Sequence, residues 1–94
     1  MRSLNKVIKN KVDRDGKRQG YWDSYYTNGN ISSKGLYLDD ERVGIWELYY
    51  HNGQLNFKGL FNNGVLDGIW EIYNRDGSLK ERRLYENGDL IKVL

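Results

Sequence analysis

Three carboxylates recur 24 positions apart: Asp23, Glu47 and Glu71. Such a column can share protons as acid and base, or hold a cation. Each has a basic counterpart further along, in Lys34, Lys58 and Arg82, and neutralised cross-strand pairs explain the column without chemistry. The acidic run Asp39-Asp40-Glu41 lacks the spaced oxygen ligands and the glycine of a calcium loop, so it reads as a solvated turn. His51 is the only histidine and stands beside Asn52-Gly53. A catalytic histidine needs an orienting partner and a nucleophile within reach. Ser24, Ser32 and Ser33 fall on strands distant from it, so no triad forms. The chain has no cysteine, which excludes a disulfide, a thiolate nucleophile and a Cys-based zinc site. No glycine run cradles phosphate, because every glycine has a turn or a packing role. The residues therefore point away from an enzyme, and no metal or cofactor is expected.

Length and composition set what must position these side chains. Ninety-four residues suit one small domain, which buries roughly 60–65% of the unfolded chain's surface. Aromatic residues make up 14% and mean hydropathy is −0.83, so a few large anchors must serve many polar residues. No apolar run approaches the roughly 18 residues of a spanning helix. The opening "MRSLNKVIKN" has no apolar core of a secretory signal, and a cytoplasmic protein is expected. Net charge is +2, too small for nucleic acid, whose phosphates want a basic groove. Residues 1–18 are nevertheless basic. Arg2, Lys6, Lys9 and Lys11 could contact an anionic surface such as phospholipid, although a solvated arm is the blander account.

The larger pattern is a repeat of period 24. "GYWDSYYTNG", "GIWELYYHNG" and "GIWEIYNRDG" begin at Gly20, Gly44 and Gly68; "ISSKGLYL", "LNFKGLFN" and "LKERRLYE" begin at Ile31, Leu55 and Leu79. Asn28-Gly29, Asn52-Gly53 and Asp76-Gly77 separate the halves. The other junctions carry Asp15-Gly16, Asp39-Asp40, Asn63-Gly64 and Asn87-Gly88. Such dipeptides signal two-residue type I′ hairpin turns. Eight strands result, over about 6–13, 18–26, 31–37, 43–50, 55–62, 67–74, 79–85 and 90–94. The expected fold is all-β: a single-layer antiparallel meander, a β-hairpin solenoid of three 24-residue repeats. One domain spans 1–94, with repeats at about 14–37, 38–61 and 62–85 and degenerate caps at 1–13 and 86–94.

Counting from a two-residue turn at Asn28-Gly29 opposes Tyr26 to Ile31, Ser24 to Ser33, Asp23 to Lys34 and Trp22 to Gly35. The second repeat opposes Glu47 to Lys58 and Trp46 to Gly59, and the third Glu71 to Arg82. A glycine opposite an indole leaves it room over the backbone. A turn at Asn63-Gly64 opposes Phe61 to Leu66 and Trp70 to Phe57. A three-residue loop with a bulge at Gly29 would shift the count. In the third repeat Gly59 becomes Arg83, placed to lie over Trp70 as a cation–π contact.

The G-x-W-x-x-Y-Y-x-N-G units resemble the MORN repeat family (membrane occupation and recognition nexus), in particular its bacterial variant, over about residues 14–90. That resemblance implies a single-sheet solenoid of hairpins. It also implies an antitoxin-like component, a scaffold, or a binder of acidic phospholipid or partner proteins. A single layer cannot bury both sides against itself, so an aromatic surface is expected to stay open, and large open apolar patches mark interfaces. Its contact residues are Trp22, Tyr26, Trp46, Leu48, Tyr50, Phe57, Phe61 and Trp70. The competing expectation is that curl lets the rings cover one another. The expected function is a non-catalytic protein-binding module that masks a partner protein, of antitoxin, immunity or phage anti-defence inhibitor type. A homo-oligomer joined at this face or at the sheet's edge strands, and phospholipid binding through the basic arm, are the alternatives.

Overall fold

The computed structural model describes residues 9–94. Arg2 and Lys6 lie outside the described residues, as does the start of the strand expected over 6–13; within the described part that strand is only Lys11–Val12, because Asn10 before it is left-handed with φ 58°. Eight strands form one sheet in chain order: β1 (Lys11–Val12), β2 (Arg18–Tyr25), β3 (Ile31–Leu38), β4 (Glu41–Tyr49), β5 (Leu55–Asn62), β6 (Val65–Tyr73), β7 (Leu79–Glu86) and β8 (Asp89–Val93). Every neighbouring pair is antiparallel, and no helix occurs among the described residues. The meander expected from the repeat is the fold.

The turns fall into two kinds. Asp39-Asp40, Asn63-Gly64 and Asn87-Gly88 carry positive φ at both residues, as a two-residue type I′ turn demands. The turns within the repeats differ from expectation. Only the glycine is left-handed at Asn28-Gly29, Asn52-Gly53 and Asp76-Gly77. Gly29 N–H donates to the Tyr26 carbonyl (3.0 Å) and Tyr26 N–H to the Asn30 carbonyl (2.8 Å), which makes a three-residue loop closed by the glycine. The side chain decides this: Asn28 Oδ1 accepts from Asn30 N–H, as Asn52 Oδ1 does from Gln54 N–H and Asp76 Oδ1 from Ser78 N–H.

The longer loop moves the count by one, and one extra residue on the return strand moves it back. Ser32 is that residue between the pairs Ser24↔Ser33 and Tyr25↔Ile31. Asn56 and Lys80 do the same in the next repeats. Trp22↔Gly35, Asp23↔Lys34, Trp46↔Gly59, Glu47↔Lys58 and Glu71↔Arg82 therefore stand as counted, whereas Ile31 opposes Tyr25 rather than Tyr26.

A second irregularity sits between repeats. Lys34↔Glu47 is followed by Leu36↔Val43, so Gly35 faces three residues, Gly44, Ile45 and Trp46. Likewise Gly59 faces Gly68, Ile69 and Trp70, and Phe57 opposes Ile72 instead of Trp70. Gly44 and Gly68 make the bend with φ near +72° and +71°, where a Cβ is disfavoured. The excess chain folds each indole onto the preceding repeat. A Cβ on Gly35 would lie 2.2 Å from Cδ2 of Trp46, and one on Gly59 would lie 2.3 Å from Cδ2 of Trp70. The indole's room thus comes from the glycine of the repeat before, not from its own hairpin partner.

The rings then stack edge to face: Trp22–Tyr37 at 5.8 Å, Tyr37–Trp46 at 5.0 Å, Trp46–Phe61 at 6.2 Å and Phe61–Trp70 at 5.0 Å between centroids. Each such pair adds about 0.5–1.5 kcal/mol beyond area burial. Hydroxyls tie the repeats together at the hairpin tips. Tyr26 Oη donates to the Tyr49 carbonyl (2.5 Å) and Tyr50 Oη to the Tyr73 carbonyl (2.6 Å). Asn74 takes this place in the third repeat. Tyr50→Phe removes only the hydroxyl and is expected to cost about 1 kcal/mol, whereas Tyr25→Phe, 61% exposed, costs less than about 0.5 kcal/mol. Urea midpoints at unchanged m-value measure both.

Candidate binding faces of the sheet

The aromatic side is less open than the sequence suggests. Trp46 and Trp70 are 1% exposed and Phe61 is 7% exposed, so these three expected contact residues are core. Their indole N–H groups are also used. Trp46 Nε1 donates to the Leu36 and Val43 carbonyls, and Trp70 Nε1 to the Leu60 carbonyl. The bulges cause this burial by laying each ring across the neighbouring strand. Trp22, Tyr26, Leu48, Tyr50 and Phe57 remain half-buried. Trp22, Leu48 and Phe57 pack against the core together with Leu66 and Tyr85, and no second layer covers them among the described residues.

Arginines close the rim of this side. Arg18 stacks over Tyr37 at 4.2 Å and donates to Asp40, whose carboxyl is held below its ordinary range by that hydrogen bond. Arg42 lies over Trp46 at 4.7 Å and over Phe61 at 5.4 Å. Arg83 opposes Trp70 in register, yet its guanidinium reaches Glu81 and Tyr85 Oη. No cation–π contact joins Arg83 to Trp70 among the described residues; the carboxylate two residues away on the same strand draws it aside.

The opposite side carries the charges. The pairing of β2 through β7 sets Asp23, Lys34, Glu47, Lys58, Glu71 and Arg82 side by side on successive strands. Hairpin counting finds three separate pairs; the register between repeats joins them into one ladder of alternating sign. Glu47 lies 3.5 Å from Lys34 and 3.7 Å from Lys58, and Glu71 lies 3.5 Å from Arg82. Asp23 takes Lys9 at 2.8 Å. The Tyr49 phenol and then Glu47 raise the Lys34 ammonium above its usual range. Burial, followed by Glu47, raises Tyr49.

Beside the ladder runs an apolar row that the sequence reading missed. Tyr21, Ile45 and Ile69 are 55%, 57% and 55% exposed, with Leu36, Leu60 and Leu84 on the neighbouring strands. A groove of about 230 Å³ is lined by Lys9, Tyr21, Asp23, Lys34, Ile45 and Glu47, which places the row on the ladder's side. The available signal was the middle residue of each G-x-W: an apolar side chain next to a buried indole must point the other way.

His51, the one histidine, lies in contact with the neighbouring hairpin. The His51 ring rests on Tyr26, and Asn28 Nδ2 donates to the His51 carbonyl. No group of three or more metal-ligating side chains occurs among the described residues. Of the basic arm, Lys9 is engaged by Asp23 while Lys11 is exposed. No helix of the described residues is long and apolar enough to cross a membrane.

No curated protein and no solved structure matches the chain. The sequence profile of the MORN repeat variant matches residues 14–39, 42–63 and 66–87, and each match takes in one G-x-W bulge or its equivalent start and the hairpin that follows. With three such units making up most of its one sheet, the chain belongs to the MORN repeat variant family.

Proposed function

We propose that the chain is a non-catalytic protein-binding module that masks a partner protein with the aromatic side of its sheet, in the manner of an antitoxin, immunity protein or anti-defence inhibitor. MORN repeats are commonly protein- or membrane-binding modules. One observation carries the reading to protein: Trp22, Leu48, Phe57, Leu66 and Tyr85 pack on the core yet stay half-exposed, with no second layer over them among the described residues. Sheets ordinarily bury such a face against another element, and a partner's apolar element would complete it. Tyr and Trp at the rim suit binding hot spots. The buried Trp46, Phe61 and Trp70 support this surface from beneath rather than forming it.

Affinity capture from the native cell tests the reading with two variants. Leu48→Lys should lose a specifically retained protein at least tenfold while keeping the wild-type circular dichroism, and Ile69→Lys on the other face should retain it. Equal retention by Leu48→Lys, or no specific protein on the wild type, overturns the proposal.

A further inference from the structure

We infer that the charged side of the sheet is a dimer interface on which a second copy of this chain packs ladder on ladder. From β2 to β7 the signs run minus, plus, minus, plus, minus, plus: Asp23, Lys34, Glu47, Lys58, Glu71, Arg82. Read backwards, that series is its own complement at every rung. A two-fold axis parallel to the strands, lying between the two faces and over the β4–β5 boundary, performs the reversal. It sets Glu47 on the partner's Lys58, Lys34 on the partner's Glu71 and Asp23 on the partner's Arg82. A two-fold axis along the ladder instead would set every residue on its own copy, like on like at all six rungs.

The same operation matches the apolar row. Ile45 pairs with Leu60 as Glu47 pairs with Lys58, so Ile45 meets the partner's Leu60, and Tyr21 meets the partner's Leu84. Exposed apolar side chains supply the affinity. Interfacial ion pairs roughly break even against desolvation, and their effect is to reject wrong registers. Sheets packed face to face keep their strands within about 30°, which the parallel axis satisfies. A standard interface takes about 800 Å² from each partner, roughly one-eighth of this chain's 6685 Å². The dimer turns both aromatic sides outward, so it is independent of the partner-masking function.

Sedimentation equilibrium of the purified chain, from micromolar to near-millimolar, tests the inference. Wild type is expected to pass from monomer to dimer. Glu47→Lys and Lys58→Glu each bring like charges together at two places and should weaken association at least tenfold. Mixed in equal amounts they should form a heterodimer, because each substituted side chain then meets its opposite. Ile45→Lys, at a position 57% exposed in the monomer, should keep the fold and fail to dimerise alone or mixed. A wild type that stays monomeric overturns the inference. So does a dimer that Ile45→Lys leaves intact, since association would then use another surface.

Discussion

Trp46→Ala lowers the free energy of unfolding by about 3–5 kcal/mol, the range for emptying a buried tryptophan site. The residue is 1% exposed, with Tyr37 at 5.0 Å on one side and Phe61 at 6.2 Å on the other. Truncation leaves both rings facing a void, removes the donor to the Leu36 and Val43 carbonyls, and takes away the surface under Arg42. A domain of this size holds about 5–15 kcal/mol, so the loss is a third or more of the total for most of that range. At about 4–8 °C per kcal/mol the Tm falls by roughly 12 °C or more. Trp22→Ala serves as the internal comparison. Trp22 is half-buried, contacts one ring at 5.8 Å and has a longer 3.3 Å bond to the Lys11 carbonyl. Its loss should cost no more than about 2 kcal/mol. Urea denaturation that ranks the two variants equally would show that Trp46 is not the centre of the core.

The difference between these tryptophans was only partly legible in the sequence. Period and turn dipeptides are local signals, and they place β2 to β8 within two residues, together with the charge pairs within each hairpin, while β1 is shorter than they suggest. The bulges are not local. Asn28-Gly29 carries the same letters as a two-residue type I′ turn, but the Asn28 side chain captures Asn30 N–H and lengthens the loop. Ser32 then absorbs the extra residue, so a count built on the wrong loop still arrived at Trp22↔Gly35. Between repeats no such cancellation occurs. The excess at Gly44-Ile45-Trp46 and Gly68-Ile69-Trp70 moved Phe57 from Trp70 to Ile72 and folded the indoles inward. An aromatic side read as open therefore closes at Trp46, Phe61 and Trp70. One signal was present: Gly20, Gly44 and Gly68 stand two residues before each tryptophan without a turn to make. All three have positive φ with nothing within 4 Å of where a Cβ would stand, so their role is conformational.

Gly35 and Gly59 have the opposite role, and Gly59→Ala isolates it. Neither has positive φ, so alanine brings no backbone strain. What it meets is the Trp70 ring, with Cδ2 at 2.3 Å and Cε2 and Cγ at 2.5 Å. The ring is held by Phe61 at 5.0 Å and Phe57 at 6.4 Å and by its bond to the Leu60 carbonyl, so it has no free direction to move. The expected cost is about 3 kcal/mol, the upper part of the overpacking range. The chain already contains the compensated pair one repeat later. Position 83 follows Gly35 and Gly59 at the same period and is arginine; position 94 follows Trp46 and Trp70 and is leucine. Leu94 N–H bonds to the Arg82 carbonyl (2.8 Å), which puts it beside Arg83. Where the indole is missing, the glycine is missing too. In a Trp70→Leu background Gly59→Ala should therefore add less than about 1 kcal/mol to the loss that Trp70→Leu causes alone. The double-mutant cycle then returns a coupling of about 2 kcal/mol. Equal costs in both backgrounds would mean that something other than the ring of the following repeat demands glycine there.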